Sequence, residues 1–507
     1  MLRVLLSCLI LSLTHISGCA PADEASTGPS GEGVTPGTSH QDLVDFYHEW
    51  RAFQAPQVVE GVPDYSAAAM AAQHRELAQW QATLQAFDTT GWSISEQIDW
   101  HLVWAEMNGL DFDHRVLRPW ARSPAFYGMI FNAQSDVPAH EGPVVHGWID
   151  TWTYQYPLSP ENAAELAGRF GVIPALLEQA RTNLVGDARD LWMGGIRGME
   201  GQIAQLNAFS ARVAGSSAEL DAALQAALEA TEAFLAWLAE EAPSKTGPSG
   251  VGIENYDWYL TNVHLVPYTW EDEIRVMRRE LARSFAALKL EEHRNRQLPR
   301  QTRIASAADY DRLLNAAVDD YVAFLGENEI LTVRDYMAPA LRERIGRFQP
   351  VDPPDELRGF FSEVSYRDPL TMRTHGHHWF DLAMMAAEPH PSPIRATPLL
   401  YNIWDSRAEG MATGMEEWMM NAGLFDNNPR SRELIYILLA QRAARAISGL
   451  LLHSNDYTLD DAVKFAAEWT PRGWMPEDSN TVWGEQDFYL HQPYYGASYL
   501  MGKYQIE

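Results

Sequence analysis

Three of the sixteen histidines fall in one short run, Thr371-Met372-Arg373-Thr374-His375-Gly376-His377-His378-Trp379-Phe380-Asp381. If residues 370–387 form a helix, His375 and His378 stand at i and i+3 on one face, with Thr371 one turn earlier and His377 pointing elsewhere. Two neutral imidazoles on one turn are half of a metal site, because ring nitrogens bind zinc at about 2.0–2.1 Å. The other half has to be a carboxylate from a separate element. Segment 400–421 offers Asp405, Glu409 and Glu416 at i, i+4 and i+11 of an otherwise apolar, Met- and Trp-rich stretch. Carboxylates in such a setting are costly unless they meet a cation or a metal. Either His375, His378 and Glu409 hold one divalent metal ion, or the histidines are hydrogen-bonded structural residues. Arg442 and Arg445, on the apolar segment 431–452, pose the same problem with opposite sign. Either they pair with these acids, or they bind a substrate carboxylate bidentately.

Other catalytic templates fail on inspection. Lys245-Thr246-Gly247 matches one piece of the penicillin-binding signature, but none of the four lysines has a serine three residues before it. There is no Gly-x-Ser-x-Gly elbow, and neither His48-Glu49 nor His140-Glu141 is completed to H-E-x-x-H. Gly496 to Lys503 resembles a phosphate loop with one residue too many between its glycines, at a terminus where no helix can follow.

The elements that must position these residues read as helix after helix. Leu43, Phe46, Tyr47 and Trp50 recur on one face, residues 66–87 lack Gly and Pro, and Ser93-Ile94-Ser95-Glu96 has capping-box spacing. Residues 117–160, rich in Pro, Gly and aromatics, read as ordered loops and short turns. Helical pattern resumes after the cap Ser159-Pro160-Glu161 and continues to residue 241. The stretch 242–252 is the best internal break within a body spanning residues 42–507, and amphipathic helices follow over 270–294 and 306–325. Alternating Val/Ile/Thr runs are nearly absent, so the expected class is mainly α with little sheet.

Several of these segments recur in a known order: Glu409-Gly410-Met411-Ala412, the turn Asn421-Ala422-Gly423-Leu424-Phe425-Asp426, Arg442-Ala443-Ala444-Arg445, His453, and the tail Gln492-Pro493-Tyr494-Tyr495-Gly496-Ala497-Ser498-Tyr499-Leu500-Met501-Gly502-Lys503. In them the sequence resembles the bacterial domain-of-unknown-function family 885, whose pattern runs H-E-x-x-P-G-H-H, E-G-W-A, R-A-A-R, a histidine and P-G-Q-A-x-x-Y-x-x-G. The resemblance extends from about Leu43 onward, specific in the C-terminal part and loose before it. It implies a helical, gluzincin-like metallopeptidase fold in which the histidine motif and Glu409 hold zinc. On that reading Tyr499 donates to an oxyanion, and Arg442, Arg445 and His453 seat a peptide or other small substrate.

The sequence also departs from the pattern. Aligning Gly376-His377-His378 with G-H-H puts Thr371 in place of the first His, Met372 in place of the Glu and His375 in place of the Pro. Loss of that Glu removes the group that deprotonates and aims water. Either His375 restores a ligand and Asp405 or Glu416 supplies the base, or the protein keeps the fold and binds a ligand without cutting it. A third reading is a metal-free hydrolase using Glu409 with Glu416 or Asp405 as a carboxylate pair.

The address is written at the N-terminus. One positive charge, an apolar run from Val4 to Leu13 and Ile16-Ser17-Gly18-Cys19 read as a secretory signal over residues 1–18 ending in a lipobox. Cys19 is then the acylated first residue, and the Gly/Ser/Thr/Pro-rich stretch to residue 41 is a flexible tether. These features predict an exported protein held on the cell envelope by lipid, with the lack of Asp at Ala20 resembling outer-membrane sorting towards the periplasm. Cys8 and Cys19 are the only cysteines, which leaves no disulfide or thiolate chemistry for the body. With 68 Asp+Glu against 38 Lys+Arg and a formal charge of −30, the surface repels phosphate backbones, so nucleic acid is excluded as the main partner.

Overall fold

A computed structural model describes residues 37–138, 147–351, 356–401 and 403–507. The signal, Cys19 and the tether up to residue 36 lie outside the described residues. The fold is mainly α, as the periodicity predicts. Among the described residues sheet is confined to two short pairs: Val58–Val59 antiparallel with Val62–Pro63, and Ile130–Phe131 parallel with Ile149–Asp150.

Local chemistry sets the helix starts. Ser39 and Asp42 form a capping box, so the first helix begins at His40, two residues before the expected start of the body at residue 42. Ser93 with Glu96 and Thr269 with Asp272 do the same, and Ser66 and Ser159 cap the helices that follow them. Residues 113–138 and 147–154 form a π turn, short helices, turns and one short strand pair, as the composition of the stretch suggests. The stretch 242–252 carries a single 3₁₀ turn, Ala242–Ser244. Most apolar side chains between Trp120 and Leu238 join Tyr65 and Met70 in one core, a second gathers many of those from Leu43 to Phe112, Val251 to Leu281 and Ile394 to Met501, and smaller clusters pack beside them.

Six helices carry the candidate site: α1 (Pro369–His375), α2 (His377–Ala387), α3 (Asp405–Asn421), α4 (Ser431–His453), α5 (Asn480–His491) and α6 (Tyr495–Ile506). Helix α4 is the central rod. It is long and apolar enough to cross a membrane, yet its apolar window is entirely buried inside the protein, so it serves as a core helix. Helices α3 and α6 meet backbone to backbone at Gly410 and Gly502. A β-carbon on Gly410 would lie 2.4 Å from the Gly502 carbonyl carbon, and one on Gly502 would lie 1.9 Å from the Ser406 oxygen. This close approach brings the start of α6 onto the buried acids of α3.

Candidate metal centre

The histidine run does not form the continuous helix expected over residues 370–387. It breaks at Gly376, whose amide bonds back to the Arg373 carbonyl while a new helix starts at His377. A β-carbon at Gly376 would lie 2.4 Å from Leu341 Cδ2, so only glycine lets the two short helices turn against that leucine. The break leaves the spacing argument intact for the two rings that matter. His375 ends α1, His378 lies in the first turn of α2, and their ring centroids stand 4.9 Å apart, edge to face.

Helix α3 delivers the carboxylate. Ligand atoms of His375, His378 and Glu409 all lie within 4.8 Å of one another. His378 Nε2 is 3.1 Å from Glu409 Oε2, and both side chains are 1% exposed. Two ligands bound to zinc at tetrahedral geometry sit roughly 3.3 Å apart, so this pair is already at coordinating separation. The donor set of two imidazoles and one carboxylate is that of a zinc site with an open fourth position.

Supporting partners are in place around two of the three. Glu416, fully buried, lies 3.1 Å from His375 Nδ1 and is itself gripped by both Arg442 terminal nitrogens at 2.7 Å. A carboxylate on the far ring nitrogen fixes a ligand histidine's tautomer and orientation. The Tyr495 hydroxyl, on α6, donates to Glu409 Oε1. His378 Nδ1 is buried without a hydrogen-bond partner.

Electrostatics divide the two histidines. Burial alone would push His378 down, but the adjacent Glu409 carboxylate outweighs it and lifts the pKa to about 9. Burial opposes ionisation of Glu409, yet His378 holds it at about 2. His375 goes the other way: burial pushes it down despite the Glu416 carboxylate, which Arg442 keeps ionised against burial. Without a metal, His378 and Glu409 therefore form an ion pair beside a neutral His375.

The remaining predicted residues fall into three places. Asp405, on the same helix as Glu409, accepts a hydrogen bond from Gln492 at 3.0 Å rather than joining the histidines. Arg442 and Arg445 meet acids: Arg442 is fixed on Glu416, and Arg445 donates to Glu485 of α5. Tyr499 packs edge-on against Tyr495 and under the guanidinium of Arg445, 4.9 Å from its ring centroid. His453 is buried at the far end of α4, where its Nε2 lies 2.9 Å from the Tyr489 carbonyl. His377 faces Asp381, 3.6 Å away, outside the triad.

Two site residues escape the spacing argument. Tyr495 lies four residues before Tyr499 on the same helix face, and nothing in the tail motif distinguishes which hydroxyl reaches Glu409. Glu485 sits in an aromatic helix with no companion to mark it, yet it holds Arg445 and is pushed up by burial against that arginine's pull. Arg445 Nε and Nη2 and the Tyr489 hydroxyl are buried beside it without hydrogen-bond partners.

No curated protein sequence matches the chain. A solved structure from Shewanella oneidensis, described as "a putative lipoprotein of unknown function", shares the fold at a TM-score of 0.65 and 14% identity, with 93% of this chain and 92% of that one covered. A "putative lipoprotein" from Colwellia psychrerythraea superposes at a TM-score of 0.56 and 14% identity, with 92% of each chain covered. Residues 56–356 match the family model described as "Bacterial protein of unknown function (DUF885)". The match covers the part of the chain where the motif resemblance is loose and stops before the histidine run, where the sequence departs from the family's pattern. Because it spans more than half of the residues, the chain belongs to the DUF885 family.

Proposed function

We propose that this protein is a lipid-anchored envelope protein whose helical body holds one zinc ion between His375, His378 and Glu409 and hydrolyses a peptide or related amide bond. The observation that carries the reading is the convergence of ligand atoms from three helices within 4.8 Å, with His378 and Glu409 buried and His375 17% exposed. It is reinforced by outer partners that leave Glu416 behind His375 and Tyr495 on Glu409. A zinc ion bound there supplies a Lewis acid for the carbonyl and a water of lowered pKa. The chain's own groups do the rest. Arg445 keeps two buried donors for a substrate carboxylate or oxyanion, with Tyr499 packed on its guanidinium.

For proton transfer, Glu485 is better suited than the acids on α3. Glu416 is fully buried and held by both Arg442 terminal nitrogens, whereas Glu485, paired with one nitrogen of Arg445, is 17% exposed and favours its protonated form more than a free glutamate does. Glu409 and Glu416 are both held below the usual carboxyl range, so neither supplies the protonated member of a carboxylate pair. The lipid anchor rests on the lipobox at Cys19 and accords with the descriptions of the two structural relatives.

A second reading, binding without cleavage, is favoured by one observation. Met372 stands where the family pattern has its base, and every acid of the triad's surroundings already has a cationic partner. The test is cleavage of a mixed peptide library by the full chain with and without added zinc. Zinc-dependent cleavage that disappears in Glu409→Gln supports the hydrolase. Tight, uncleaved peptide retention under the same conditions selects the binder.

A further inference from the structure

About three turns along α4 from the candidate metal centre lies a different kind of site. Arg430 sits at the N-terminal boundary of α4 and Arg442 twelve residues on, roughly 18 Å along the axis at about 1.5 Å per residue. Around Arg430 a cavity of about 330 Å³ is lined by Arg300, Arg367, Arg430 and Arg472, with Glu433 and Trp474. That is the lower end of the size range of small-molecule sites. The concentration of cations is unexpected in a chain with 68 acidic against 38 basic residues.

The arginines are held in place but not neutralised one for one. Glu433 is shared, with Arg430 on Oε1 at 2.7 Å and Arg472 on Oε2 at 2.6 Å; Arg472 also reaches Glu292 at 3.3 Å. Arg367 donates to Glu363, which is shared in turn with Arg303 at 2.9 Å. Arg367 and Arg472 both lie over the Trp474 ring, 4.4 and 5.3 Å from its centroid, which fixes their planes. Arg300 is exposed and makes no ion pair among the described residues. Arg430, 8% exposed, and Arg472 each bury an Nε that has no hydrogen-bond partner. Burial and the neighbouring cations Arg303 and Arg472 push the Arg367 pKa down despite Glu363, as expected where positive charge is crowded.

We propose that this cavity binds a small phosphorylated molecule. Guanidinium forks match phosphate oxygens bidentately, and several converging on one cavity favour a multiply charged group over a single carboxylate. Among the described residues Glu433 is the one acid lining the cavity, and it already bridges two of the four arginines, so the cavity itself retains positive charge for a ligand.

Pyrophosphate is the probe. Isothermal titration of the metal-stripped full chain should show saturable binding of pyrophosphate that weakens as salt is raised, with citrate and acetate weaker. Arg300→Glu reverses a charge on an exposed side chain, so it leaves the melting temperature of the free protein unchanged. It should weaken pyrophosphate binding about tenfold or more, the worth of one charge-assisted hydrogen bond. Glu409→Gln should leave that affinity unchanged, which separates this site from any chelation at the metal centre. No saturable binding, affinity unaffected by Arg300→Glu, or citrate binding as tightly as pyrophosphate would each overturn the proposal.

Discussion

Replacing Glu416 by Gln tests how the site is held together. The Glu416 carboxylate bonds both Arg442 terminal nitrogens at 2.7 Å and lies 3.1 Å from His375 Nδ1, with Arg442 and Glu416 at 0% side-chain exposure. Glutamine keeps the shape and one acceptor oxygen, but its amide nitrogen then faces an arginine donor, and the guanidinium loses its counter-charge in a dry interior. Breaking one side of such a pair costs about 3–5 kcal/mol, because the other charge stays buried and uncompensated. Removing the carboxylate behind a ligand histidine lowers metal affinity about 10–100-fold. Urea unfolding of the metal-stripped protein reads the first quantity, and competition against a chromophoric chelator reads the second. Glu417→Gln is the comparison: that acid pairs with Arg283 and Lys503, and Arg283 is 34% exposed, so the loss should be markedly smaller. A Glu416→Gln loss no larger than that of Glu417→Gln would refute the burial argument. Unchanged zinc affinity in a folded Glu416→Gln protein would refute its role behind His375.

Three further outcomes are expected. Tyr495→Phe removes the hydroxyl that donates to buried Glu409 and should cost about 1.5–3 kcal/mol in denaturant unfolding, the range for a hydrogen bond to a charged group. Gly410→Ala drives a β-carbon into the Gly502 backbone, which cannot swing aside like a side chain, so a destabilisation of about 1–3 kcal/mol or more should appear as a lowered urea midpoint. Glu273, fully buried and bonded by the Tyr256 hydroxyl at 2.8 Å, has its pKa raised by burial to about 8 from an ordinary 4.5. Between those values the folded chain keeps a proton that the unfolded chain has released, so this residue makes stability fall as pH rises from 4.5 through 8. Glu273→Gln should flatten that slope in pH-resolved thermal melts, and an unchanged slope would count against the assignment.

What the sequence disclosed followed from local rules. Helix starts at Ser93 and Ser159 are legible because a cap needs only a side chain and an amide three residues on, whereas the cap at Ser39 is masked by the Gly/Ser/Pro-rich composition around it. The cost of burying charge leaves two outcomes for Arg442 and Arg445, an acid or a substrate carboxylate, and does not choose between them. Arg445 meets Glu485, forty residues away, which no periodicity connects to it. The close approach of Leu341 to Gly376 is hidden because the contact is distant in sequence. Asp405 shares a helix stripe with Glu409 by spacing alone, but the carboxylate is taken by Gln492 from the chain's far end. Tyr495 reaches Glu409 only because Gly410 and Gly502 let two backbones touch, and a glycine pair in a sequence does not announce its partner.

Metal content of the purified full chain, measured by elemental analysis after loading with zinc and removal of excess, bears most directly on the central claim. Three donors within 4.8 Å predict close to one zinc per chain in the native protein and a loss of that zinc in Glu409→Gln with the fold retained. Equal zinc in the two proteins, or none in either, would contradict it.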